Sequence, residues 1–439
     1  MIQKDRILGL DLLRILATYM IVILHLLAFT GLLSASAPLT VRSNLLWFLE
    51  SACYGAVNCY ALISGYIALE ARWKPARLME LWLQVTFYTV GAALILELLY
   101  PGSVDARVWL DAFTPILSKQ YWYFSSYFVL FLFMPFLKQL IHALDAVRLR
   151  QLAVTLVLCF SLLPLFMSGD VFSVASGYSP LWLVALYLLG ACLRRLDGGR
   201  CGRRRYLLWY LLAVTAAWAG KLALDAWDLS GSPPIPHFNS MLVLSYLSPF
   251  ILLGSLALVR FFSGVRLSSQ IGRLVGVLSS ASFGVYVIHI NSIVWKYCFY
   301  PRLSFLPGTV SLPLVLVQIL GAALLVHLIC TVIDLVRQQL FRLCRVKHFT
   351  EYLEHCARKL VVHNCGGFGH AGINQEPGYC PGSRSSFLSQ ICSRINCPIF
   401  LVPMGTTPGP AMSGVRQPSA RTASTARSMT AASSGFRKE

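Results

Sequence analysis

Residues 11–25 read DLLRILATYMIVILH. They lie inside an apolar segment, Ile7–Leu32, long enough to cross a bilayer as a helix. Three ionisable residues interrupt it: Asp11, Arg14 and His25. Burying such groups in lipid is costly, so their default reading is functional. Arg14 and His25 are eleven positions apart. At ~100° per residue they fall within ~20° of one helix face and stand ~16 Å apart along the axis. One side chain therefore faces the mouth of a channel and the other lies deep in it. Asp11, three residues before Arg14, can pair with it on the same face.

Working outward, the pattern repeats. The chain has 439 residues, 56% of them hydrophobic and 13% charged, with a mean hydropathy of +0.65. A soluble domain carries roughly twice that charged fraction. Ten apolar spans are expected: 7–32, 45–69, 78–99, 121–141, 152–167, 180–193, 206–227, 241–261, 274–295 and 312–336. The fold class is all-α, a polytopic membrane helical bundle of about ten transmembrane helices. The net charge of +19 could suggest nucleic acid, but the cations gather in alternate loops. One set holds Lys74, Arg77, Arg148, Arg194, Arg203, Arg266, Arg337 and Arg345. The positive-inside rule places that set, and both ends of the bundle, in the cytoplasm of a multi-pass protein of the cell membrane. The partner of this charge is the lipid bilayer, not nucleic acid. Ala35-Ser36-Ala37 forms an A-x-A cleavage pattern, but a segment carrying Asp11, Arg14 and His25 is read as a retained helix.

The composition changes after Val346. Residues 1–346 form the transmembrane domain, and 347–439 form a polar, low-complexity tail. That tail ends in a Ser/Thr/Ala/Arg-rich run, is expected to be disordered and carries no chemistry. Its His355, Cys356, His363, Cys365, His370 and Cys380 lack zinc-ligand spacing, so no metal is expected. The cysteines show no disulfide framework.

Each chemical candidate has a plainer reading beside it. His25 can act as a general base, and Arg14 can hold a phosphate or a carbonyl; the alternative is a buried Asp–Arg pair and a hydrogen-bonded histidine. Lys74 and Arg77, one turn apart at a helix start, can bind phosphate, or simply anchor topology. Ser64-Gly65 permits close backbone approach, and Tyr60 and Tyr66 offer hydroxyls. Tyr121 and Trp122 form either an aromatic belt or a platform for a sugar ring. His289 and Tyr286 share a face in the ninth span, where a core histidine is the plainer reading. Lys221 and Asp225 read as a structural i, i+4 pair.

In this order along the chain, these stretches resemble the acyltransferase-3 family of integral membrane acyltransferases, which includes O-acetyltransferases of surface polysaccharides. Arg14 and His25 resemble its R/K-x₁₀-H motif, Ser64–Tyr66 its second-helix signature, and Lys74-Pro75-Ala76-Arg77 its R-x-x-R motif with lysine first. YWYFSSYFVLFLFMP (121–135) and SFGVYVIH (282–289) resemble later signatures. The resemblance implies acyl-CoA, usually acetyl-CoA, as a co-substrate rather than a permanently bound cofactor. It also implies a hydroxyl or amino acceptor on a glycan or lipid-linked glycan of the envelope. His25 and Arg14 would be catalytic. Lys74, Arg77 and Arg14 would hold the donor, and Tyr121, Trp122, Ser64, Tyr66, His289 and Tyr286 the substrate. His25 would deprotonate the acceptor or accept the acyl group transiently. A transporter or flippase for a glycan precursor, and a non-catalytic membrane scaffold or sensor, are the alternative classes.

Overall fold

The computed structural model describes residues 6–70, 73–117, 119–196 and 202–366. Within them the chain is helical, without strands. In order, the α-helices are α1 (Leu8–Phe29), α2 (Val41–Tyr54), α3 (Ala56–Ala68), α4 (Ala76–Leu99), α5 (Ala106–Phe113) and α6 (Trp122–Ala143). There follow α7 (Ala146–Val157), α8 (Pro180–Arg195), α9 (Arg203–Leu229), α10 (Pro249–Ser263) and α11 (Ser269–His289). Two single turns, α12 (Ser292–Val294) and α13 (Tyr300–Leu303), precede the long α14 (Leu312–Leu343) and α15 (Val346–Gly366).

Among the described residues, eight helical segments are long and apolar enough to cross a membrane. They correspond to all the expected spans except the sixth and eighth, which fall on α8 and α10. These two have 16 and 15 residues, or about 24 and 22 Å, short of a hydrocarbon core of ~30 Å. In the eighth span, residues 243–248 are not helical, and Pro249 opens α10 at a position where a missing N–H costs nothing. Both helices are largely buried among their neighbours. A helix surrounded by protein need not reach either lipid surface by itself. The ninth span also ends early. Asn291 accepts from the N–H groups of Ile293 and Val294 and starts a new turn just beyond His289.

Helix α1 is the axis of the bundle and packs on α2, α3, α10, α11 and α14. Leu10, Leu13, Leu26 and Leu27 are buried along its length. The outer helices turn large apolar side chains outward: Leu94 and Leu98 on α4, Phe133 and Phe136 on α6, Leu325 and Val332 on α14. A soluble protein rarely exposes so many, whereas lipid requires it. Helices α3 and α8 approach through reciprocal glycines. A Cβ on Gly65 would lie 1.8 Å from the Tyr187 carbonyl oxygen, and one on Gly190 would lie 2.1 Å from that of Leu62. Small residues permit this contact in a bilayer, where helix association depends on close packing.

Helix α15 departs from the expected tail. Its residues 346–366 are helical and pack on α4 and α14. Lys347, His348, Glu351, Glu354 and Arg358 fall between its apolar positions, so the stretch is too polar to read as a membrane span. Residues 367–439, including His370 and Cys380, lie outside the described residues.

The glycine crossing makes an asymmetric prediction. Gly65→Ala forces backbone apart and is expected to lower stability in detergent by at least ~1–3 kcal/mol. Gly91→Ala in α4, with nothing within 4 Å of the new methyl, is expected to be neutral or to gain up to ~1 kcal/mol. Thermal unfolding of the two purified variants checks both.

Candidate functional site

The site is built along α1. At its basic end, Asp11 is 1% exposed and sits between two cations, accepting from Arg6 and from Arg14 Nη1 at 2.5 Å. Ser279 of α11 donates a further bond at 3.2 Å. One turn further, the Thr18 and Tyr60 hydroxyls lie 2.8 and 3.0 Å from the Arg14 carbonyl oxygen and in contact with each other, so that one hydroxyl can donate to the carbonyl and the other to its neighbouring hydroxyl. The Asp11–Arg14 pair expected from spacing is therefore formed. It fixes the guanidinium of Arg14 at the wall of a cavity.

That cavity has a volume of about 740 Å³. Arg14, Lys74 and Arg77 all line it, so three candidates from two separate motifs meet in one place. Its wall carries eight Lys or Arg side chains, the others being Lys138, Arg337, Arg342, Arg345 and Lys347, against one carboxylate, Glu80. The remaining surface includes Trp73, Tyr127, Phe131 and Met134. A wet, cationic hollow with an apolar wall suits a polyanion bearing an uncharged arm.

In the sequence Arg337 groups with the cationic loop anchors, and Asp334 belongs to no motif. In the structure Asp334 is 0% exposed and accepts from Gln84 (3.0 Å), Tyr88 (2.7 Å), Gln338 (2.8 Å) and Arg337 Nε and Nη2 (3.0 and 3.1 Å). Its Oδ1 occupies the space that a Cβ on Gly284 would fill. Gln84, Arg337 and Gln338 all face the cavity. The signal was present: Asp334 and Arg337 have the same i, i+3 spacing in an apolar helix as Asp11 and Arg14.

Helix α15 closes the basic side, with Lys347 and His348 in the cavity wall. Glu354 accepts from the Ala76 N–H at the start of α4 (3.0 Å) and from Arg358 Nη2 (2.6 Å). Burial pushes its carboxyl up, but the Ala76 N–H, Arg358 and Lys74 outweigh this and hold it below the usual range.

At the far end of α1, His25 Nδ1 lies 2.8 Å from Nε2 of His289, whose Nδ1 lies 2.7 Å from the Val285 carbonyl oxygen. Phe29 stacks on the His25 ring at 5.0 Å. His25 lines a second, smaller pocket of about 40 Å³ with Tyr60, Trp122, Tyr123, Tyr246, Phe283 and Tyr286. Tyr60 borders this pocket and Ser64, one turn below it, borders the large cavity. The Thr18–Tyr60 contact thus stands between the two spaces.

Of the other candidates, Ser64, Trp122 and Tyr286 line one space or the other. Three do not. Tyr66 is buried, with Arg194 over its ring at 5.2 Å and Arg260 Nη1 donating to its hydroxyl at 3.3 Å. Tyr121 is 0% exposed; Asn291 Nδ2 donates to its hydroxyl at 3.0 Å, tying α6 to the end of α11. His289 is 0% exposed and stands behind His25. Lys221 and Asp225 pair as expected, at 2.5 Å, with the ammonium 4.3 Å above Trp47.

The site is thus a multi-helix bundle with a basic cavity at one end of α1 and a small histidine-lined pocket at the other. The profile of the acyltransferase-3 family, described as an acyltransferase domain, matches residues 7–332. The chain belongs to this family and is a multi-pass membrane acyltransferase. No curated protein and no solved structure matches it.

Removing Asp334 would strand Arg337, whose side chain is 10% exposed. Asp334→Ala is expected to cost ~3–5 kcal/mol, and Asp334→Ala/Arg337→Met to recover most of that loss, since the unpaired charge is the main penalty. A double-mutant cycle on thermal unfolding in detergent measures it.

Proposed function

We propose that the chain transfers an acyl group, acetyl in the first place, from cytoplasmic acyl-CoA to a hydroxyl (or amino) group of an envelope glycan or lipid-linked glycan. The observation that carries this reading is the division of one face of α1. Arg14 stands at a large cationic cavity, and His25 at a small pocket three turns away. The phosphates of the donor would sit among Arg14, Lys74, Arg77, Arg337 and the α15 cations. The pantetheine arm, uncharged and thiol-ended, would run along α1 past Tyr60. The thioester would then arrive beside His25.

There His25 would take the acceptor's O–H proton as the oxygen attacks the thioester carbon. The C–S bond breaks, and the thiolate leaves with the proton that His25 returns. The products are the ester and free CoA. A transient acyl group on His25 would give the same balance in two steps. Trp122 and Tyr286, beside His25, would hold the acceptor ring. The small pocket supports a short acyl chain over a long one. The cationic loops would face the cytoplasm of a protein in the cell membrane.

The decisive test is mass analysis of envelope glycans from cells with and without the intact gene; loss of a defined acyl mass is expected, and identical glycans would overturn the assignment. His25→Ala is expected to reduce transfer by ~10²-fold or more with normal membrane insertion. Arg14→Lys replaces a fork by a point charge and is expected to lower turnover, read as release of CoA thiol in membranes. Lys74→Gln/Arg77→Gln is expected to raise the KM for acetyl-CoA with little change in kcat, the pattern of lost ground-state binding.

A further inference from the structure

His289 was expected to touch substrate, yet it borders neither space and is 0% exposed. Its two nitrogens are both engaged, and they are engaged in a fixed direction. Nδ1 lies 2.7 Å from the Val285 carbonyl, which can only accept, so this nitrogen carries hydrogen. In a neutral imidazole the other nitrogen is then a bare acceptor. That other nitrogen, Nε2, lies 2.8 Å from Nδ1 of His25. His25 must therefore donate through Nδ1, which leaves its own Nε2 without hydrogen. Phe29, stacked at 5.0 Å and itself met edge-on by Trp295 at 5.0 Å, fixes the plane of the ring.

We infer that His289 is a positioning residue: it holds His25 as the Nδ1–H tautomer, so that Nε2 is the atom that meets the acceptor. The inference rests on the general-base reading of His25. A histidine that exchanges its proton freely between the two ring nitrogens offers its lone pair to the pocket only part of the time, and in the wrong tautomer it offers a hydrogen instead. Here the carbonyl of α11 sets the direction, and His289 passes it on to α1. The arrangement also serves the charged intermediate. When Nε2 takes the acceptor proton, the Nδ1–H of the imidazolium already points at a neutral base. The positive charge is then shared across two rings in a site where water is scarce. When the thiolate leaves, Nε2 gives its proton up and both rings return to their starting tautomers.

The first test does not depend on activity. Protein labelled with ¹⁵N-histidine is placed in lipid nanodiscs, and the His25 and His289 resonances are assigned from His25→Ala and His289→Leu. Wild-type protein is expected to show His25 protonated at Nδ1 and bare at Nε2, and a His25 bare at Nδ1 would overturn the inference. The second test is kinetic, with acetyl-CoA and envelope polysaccharide from the expressing cells, read as CoA thiol release. His289→Leu is expected to lower kcat by about 10²-fold with the KM for acetyl-CoA within about twofold, since the donor's binding groups are untouched. His289→Gln can place an amide oxygen where Nε2 stood and is expected to recover activity to within about tenfold of wild type. A Leu variant with wild-type kcat, or a correctly inserted Gln variant no better than Leu, would overturn the inference. If the Leu variant does not insert, the wild-type spectrum and the Gln variant decide. An active His25→Ala would sink the base reading itself, whereas an inactive His25→Ala beside an unimpaired His289→Leu sinks only the role given to His289.

Discussion

A carboxylate with no exposure to water, three residues before an arginine in an apolar helix, occurs twice in this bundle. Asp11 holds Arg14 on α1, and Asp334 holds Arg337 on α14. The two helices pack on each other, and both guanidiniums border the same cavity. Each acid is satisfied by the donors around it, and neither arginine could be aimed without its acid. The pairs therefore do two things at once. They make charge tolerable deep in the protein, and they remove rotamer freedom from the side chains that a polyanion would meet. Ser279, Gln84, Tyr88 and Gln338 complete the hydrogen bonding, so that α4, α11 and α14 are tied to the same two carboxylates.

Around these anchors, close backbone approach sets the geometry. The absence of a side chain at Gly65 and Gly190 brings α3 against α8. That crossing fixes the face of α3 carrying Tyr60 and Ser64, and hence the boundary between the two spaces. At Gly284 the missing Cβ is replaced by the Asp334 carboxylate. Sterics and electrostatics are there the same constraint.

Much of this was legible in the chain. Apolar runs and alternating basic loops placed the spans, because a bilayer demands both. The pairing of Asp11 with Arg14, and the shared face of Arg14 and His25, followed from helical period alone. What period could not supply was the orientation of helices that are apolar on every side. Tyr66 and Tyr121 sit in recognisable signatures yet turn away from both spaces, toward Arg194 and Asn291. The partner of His25 was named, but as a substrate contact, because residues 264 positions apart meet only in the folded state. Helix α15 is not legible as a span because it is short in apolar residues for a bilayer, and the contacts of Lys347, His348 and Glu354 with the cavity and α4 form only in the folded chain.

The boundary at Tyr60 has one more consequence, for the bilayer rather than the reaction. A protein with a cationic cavity opening into the bundle from one side has built half of a pore. An elementary charge crossing 100 mV releases about 2.3 kcal/mol, so a continuous column of water through the bundle would discharge the cell. The contact of Tyr60 with Thr18, backed by Tyr123 edge-on at 6.2 Å, interrupts that column where, in the proposed reaction, a slender arm would pass. The width of this seal sets an upper limit on what can be carried through it. Insulation and selectivity are then two readings of the same few ångströms.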